Sequence, residues 1–162
     1  MNSGTITAST TLSGDNLVAL LAEGCYVNLH STTFGGGELR GQVLMTEAEY
    51  KGTLTVAESS APNSGSNGTG SVTGFYDAAT KNLEVYAAYA NTTANPNVAH
   101  VHIGAAGVSG GVLFGLNAGS GNAAANGVYS ATSTLNAASE ADLMADGLYV
   151  NIHTPTNGGG EI

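Results

Sequence analysis

Along most of the chain, apolar and polar side chains alternate one by one, and clusters of Gly, Ser and Asn interrupt the alternation at short intervals. A period of two sends successive side chains to opposite faces of an extended backbone, so the pattern predicts half-buried β-strands. Strands are predicted over 5–11, 26–31, 38–43, 52–57, 71–76, 83–89, 98–103, 112–116, 127–134 and 149–154. Residues 59–70 and 117–126, rich in Gly, Ser and Asn, are predicted loops. Two segments switch to helical spacing: 15–23, with Leu17, Leu20 and Leu21, and 138–146, with Leu143 and Met144 and with Ser139 as N-cap. Many short strands joined by glycine-rich turns predict an all-β protein. The expected architecture is an antiparallel Greek-key β-sandwich or barrel, Ig-like or superoxide-dismutase-like, with short helical turns.

Part of the pattern occurs twice. Residues 4–39 align without a gap on 127–162 at a constant offset of 123, and 16 of the 36 pairs are identical. The strongest block is Gly24-Cys25-Tyr26-Val27-Asn28-Leu29-His30, repeated as Gly147-Leu148-Tyr149-Val150-Asn151-Ile152-His153. Each copy then reaches Gly-Gly-Gly-Glu, and the first continues through Leu39-Arg40-Gly41-Gln42-Val43. A chain of 162 residues therefore holds one period of 123 and the tail of another. The expected organisation is a partial repeat over 1–44, the C-terminal third of a unit, and a domain over 45–162 without its last strand.

Composition narrows the partners. Lys and Arg number 3 against 12 Asp and Glu, a formal charge of -9. Almost nothing is present to neutralise phosphates, which excludes nucleic acid and anionic membrane surfaces as partners. No apolar run approaches the roughly 20 residues of a membrane helix, so no membrane insertion is expected. Cys25 is the single cysteine, which excludes an intrachain disulfide; it aligns with Leu148 and reads as a small buried hydrophobe. Abundant Gly, Ser, Thr and Asn with few Lys lean toward an extracellular or cell-surface β-protein.

The concentrated chemistry lies in four histidines, His30, His100, His102 and His153. In 98–103, Ala99, Val101 and Ile103 alternate with His100 and His102, so the two imidazoles share the face opposite the aliphatic one. Val150 and Ile152 likewise oppose Tyr149, Asn151 and His153, and the same phase holds for His30. Side chains two apart on a strand are rooted about 6–7 Å apart. That spacing lets His100 and His102 bind one metal, with His153 from a neighbouring strand as third ligand. Three imidazoles suit a copper ion, with zinc as the alternative. His-Val-His on a strand is also similar to the copper-binding strand of copper–zinc superoxide dismutase. His30 has no second His-x-His in this chain; it is either a relic or completes a site with another subunit. The alternative for all four is a set of surface histidines bonded to loops. The Gly-Gly-Gly-Glu stretches lack a following helix and read as turns, not phosphate cradles. Glu38 and Glu161 there read as solvated carboxylates, with a role in orienting an imidazole as the alternative.

Tyr50-Lys51-Gly52-Thr53-Leu54, the Gly-rich loop, Ala99-His100-Val101-His102-Ile103-Gly104, and Tyr149-Val150-Asn151-Ile152-His153-Thr154 with Gly158-Gly159-Gly160-Glu161 together resemble the CHRD domain, first noted in chordin and common in secreted microbial proteins. The resemblance covers about 48–162, and 4–43 resembles the last third of a second copy. It implies a secreted or surface-displayed β-sandwich and little about activity.

The expected function is an extracellular structural module that binds copper through the His-x-His strand and a third His. It is not an enzyme in this reading. Because the first copy carries the strand that the second lacks, head-to-tail self-association by strand donation is expected, giving a homo-oligomer or filament. Two alternatives stay open: a structural or adhesion module without a metal site, and a copper oxidoreductase.

Overall fold

The computed structural model describes residues 4–11, 16, 19–20, 24–43, 47–58, 65–119 and 125–162. It divides into two compact units, Met1–Met45 and Thr46–Ile162. The parts of the expected 15–23 helix, the 59–70 loop and the 117–126 loop that fall at 15, 17–18, 21–23, 59–64 and 120–124 lie outside the described residues.

The larger unit is antiparallel throughout. Its strands are β3 (Ala48–Thr55), β4 (Thr69–Asp77), β5 (Asn82–Ala90), β6 (Val98–Ile103), β7 (Val112–Ala118), β8 (Gly127–Thr134) and β9 (Leu148–His153). The spatial order is β3-β4-β5-β8-β7-β6-β9. β6, β7 and β8 are sequential neighbours; β5 returns beside β8 and β9 beside β6, so two Greek keys overlap. β7 and β8 share only the pairs Asn117–Ser130 and Ala118–Tyr129. The sheet folds over at this narrow join into a nearly closed, barrel-like layer. Leu83, Val85 and Tyr129 from one arm and Ala99, Val101 and Ile152 from the other meet in one core. The all-β Greek-key expectation holds.

β3 begins four residues before the predicted 52–57 strand, and Val56–Glu58 form a 3₁₀ turn instead. Glu49 and Lys51 point outward and pair with each other at 3.0 Å, while Ala48, Tyr50, Gly52 and Leu54 take the opposite phase. The ladder with β4 decides the strand's length where charge diluted its pattern. The helix α1 (Ala137–Met144) is capped by Asn136, whose Oδ1 accepts from the N–H groups of Ala138 and Ser139. Ser139, expected as the cap, is buried inside the helix. Tyr76 and Lys81 both bond Glu140, at 2.6 and 2.7 Å, and tie α1 to the sheet. No helix among the described residues is long and apolar enough to cross a membrane.

The smaller unit has a two-stranded hairpin, β1 (Tyr26–Leu29) and β2 (Leu39–Gln42), paired Tyr26–Gln42 through Leu29–Leu39. Asn16, Ala19 and Leu20 are helical. The strand predicted over 5–11 is absent: residues 4–11 are exposed and irregular. A strand needs a ladder partner for its backbone groups, and none is present there among the described residues.

Candidate metal centre

β6 and β9 are antiparallel neighbours, with Val98 opposite His153, His100 opposite Asn151 and His102 opposite Tyr149. Ala99, Val101 and Ile152 are sealed in the core. The imidazoles of His100, His102 and His153 therefore emerge on the other face, in the phase read from the alternation. Ring centroids of His100 lie 5.1 Å from His153 and 5.6 Å from His102, and those of His102 and His153 lie 6.1 Å apart. One ring nitrogen from each falls within 4.8 Å of the other two. His30 belongs to the smaller unit.

A bulge sharpens the arrangement. β6 pairs with β7 as Val101–Phe114, then slips to His102–Val112. Bulges re-aim side chains locally, and this one falls between the two histidines' strand positions. Opposite His100, Gly115 supplies no side chain to crowd the ring.

Hydrogen bonds set the protonation of two rings. Nδ1 of His102 faces the Gly110 carbonyl at 3.1 Å, and Nδ1 of His153 faces the Gly158 carbonyl at 3.0 Å. A carbonyl only accepts, so each Nδ1 carries the proton and each Nε2 keeps its lone pair. His153 Nε2 lies 3.3 Å from His100 Nδ1. Two nitrogens bound to one ion at about 2.0–2.1 Å with a tetrahedral angle sit about 3.3 Å apart. His102 is 8% exposed, and its Nε2 is buried with no hydrogen-bond partner among the described residues. Leaving such a group unmatched costs about 1–3 kcal/mol.

The electrostatics favour the neutral form of His100 and His153. Burial pushes His100 below the ordinary imidazole range, and the neighbouring His153 and His102 push it further. Burial lowers His153 as well, opposed by its bond to Gly158 and assisted by His102. A neutral imidazole is the form that ligates metals.

Sequence reasoning missed three supporting residues. Glu161, expected in solvent, is fully buried. Its carboxylate accepts from Ser66 Oγ at 2.6 Å, Thr93 N–H at 2.6 Å, Thr154 Oγ1 at 2.7 Å and Asn157 Nδ2 at 2.9 Å. Only the folded loops reveal those donors, since Ser66 and Thr93 are remote in sequence. Asn151 donates to the Gly159 carbonyl at 3.3 Å beneath the turn that holds His153. A Cβ on Gly160, whose φ is +117°, would collide with the Asn151 amide. Tyr149 stacks on His102; its only sequence signal was sharing the histidine face.

The family model described as CHRD domain matches residues 2–43 and 50–162. No curated protein and no solved structure matches the chain.

Proposed function

Because the chain belongs to the CHRD domain family, whose modules occur in extracellular and secreted proteins, we propose that it is an extracellular structural module binding one copper ion through His100, His102 and His153. The observation that carries this reading is the buried Nε2 of His102, without a hydrogen-bond partner among the described residues, which shares a face with two further imidazoles. Three nitrogen donors favour copper(II) over zinc in the usual order of divalent affinities, and zinc is the alternative ion. The role is binding and structure rather than catalysis.

Titration of the metal-free protein with copper(II), and separately with zinc(II), tests the site. One ion per chain is expected, with copper the tighter. His102→Ala and His153→Ala should each weaken binding by at least about a hundredfold, an extrapolation from the 10- to 100-fold typical of outer-shell losses. His30→Ala should leave the stoichiometry at one. Wild-type protein that takes up neither metal stoichiometrically would sink the reading.

Self-association is the second part of the proposal, and one register supports it. The Ile152 N–H donates to the Ile162 carbonyl at 2.8 Å and the Ile152 carbonyl accepts from the Glu161 N–H at 2.7 Å, as the Leu29 carbonyl accepts from the Glu38 N–H at 2.7 Å where Leu29 faces Leu39 in the hairpin. β2 is exposed along its whole length. We propose that β2 of one copy adds beside β9 of another, head to tail.

A further inference from the structure

Tyr149 grips His102 twice. Its ring stacks on the imidazole, with centroids 5.0 Å apart and planes inclined by 14°. Its hydroxyl accepts the Gly110 N–H at 3.0 Å, and the carbonyl of the same Gly110 takes the Nδ1 proton of His102 at 3.1 Å. One side chain therefore packs the ring and also holds the residue that orients the ring.

The loop between β6 and β7 is shaped for this contact. A Cβ on Gly104 would lie 3.1 Å from Tyr149 Cε1 and 2.7 Å from the Val108 carbonyl. A Cβ on Gly110 would overlap the Ile103 carbonyl. Neither glycine has a positive φ. Both are required by space, because the backbone passes close to the tyrosine and to β6. The Ile103 N–H bond to the Gly111 carbonyl, 3.0 Å, closes the loop.

The repeat supplies an internal comparison. Tyr26 occupies the corresponding place in the smaller unit, with the same Tyr-Val-Asn-x-His context. Its ring is half exposed and lies 4.0 Å from the Arg40 guanidinium. The tyrosine's contact with an imidazole thus comes from β6 and its loop, not from the local motif.

We infer that Tyr149 is a positioning residue that fixes His102 as an Nε2 ligand. A second hydrogen bond on a ligating imidazole sets its tautomer and orientation, and loss of such support typically costs 10- to 100-fold in metal affinity. The inference rests on the reading of the three histidines as a metal centre, but its geometric part can be measured without metal.

Two variants separate ring from hydroxyl. Tyr149→Phe keeps the stack and removes the acceptor for Gly110; Tyr149→Leu removes both. Imidazole ¹⁵N shifts of the metal-free protein report the His102 tautomer, and copper(II) titration reports affinity. In wild-type protein, His102 should be protonated at Nδ1. Tyr149→Phe should mix its tautomers while His153, held by Gly158, keeps its own, and should weaken copper binding about tenfold; Tyr149→Leu should approach a hundredfold. A His102 tautomer unchanged in Tyr149→Phe, with affinity within about twofold of wild type, would overturn the inference. Should wild-type protein take up no copper, the metal reading fails by itself, and the ¹⁵N comparison alone decides the positioning role.

Discussion

A single carboxylate illustrates how little a residue's type says about its burden. Glu38 and Glu161 follow the same three glycines, yet Glu38 is exposed and Glu161 has no exposed surface. Burial raises the Glu161 pKa, but donors from Ser66, Asn157, Thr154 and Thr93 outweigh it and hold the group at about 2, against an ordinary 4.5. A depressed folded-state pKa means that the ionised group stabilises the fold above the unfolded value and that this contribution disappears as pH falls through the folded one. The window here runs from about 4.5 down to about 2, and the shift corresponds to about 3 kcal/mol. Glu161→Gln should therefore lose about that much stability at neutral pH, and its denaturation midpoint should vary less with pH across the window. Urea titrations at several pH values would check both; a variant as stable as wild type at pH 7 would contradict them. The histidine phases were legible from alternation alone. The burial of Glu161 was not, because its donors come from loops distant in sequence.

At the level of elements, the repeat places similar sequences in different surroundings. Both turns use a positive-φ glycine, Gly37 at +118° and Gly160 at +117°. Both hold the histidine Nδ1 against a glycine carbonyl, at 2.8 Å for His30 and 3.0 Å for His153. Local sequence is sufficient for this hairpin-end geometry. The strands diverge: β8 pairs with β5 and β7, whereas its counterpart over 4–11 forms no strand. Leu29 is 39% exposed where its counterpart Ile152 is fully buried. Alternation marks a segment able to be a strand; a ladder makes it one. Amide hydrogen exchange should accordingly show slow exchange along Gly127–Thr134 and near-unprotected exchange over 4–11. Strong protection of the latter segment would refute the assignment.

Across the molecule, a charge of -9 opposes close approach of two copies, and salt screens that repulsion within about 8 Å at physiological ionic strength. Head-to-tail addition of β2 to β9 should thus grow with protein concentration and with added salt. Light scattering would follow it. Gly41→Pro, which removes a backbone donor from β2, should suppress the growth; a strict monomer at high concentration would end the proposal. The sequence by itself determined the all-β class, the repeat, most strands and the face on which each histidine emerges, because period-two alternation, turn residues and offset identity are local or linear signals. The tertiary structure decided the rest. It made β6 and β9 neighbours, and it formed the bulge between Val101 and His102. It also brought Tyr149 and Gly110 to one imidazole and turned Glu161 inward. Those contacts join residues that only chain crossing brings together, so no periodicity in the sequence encodes them.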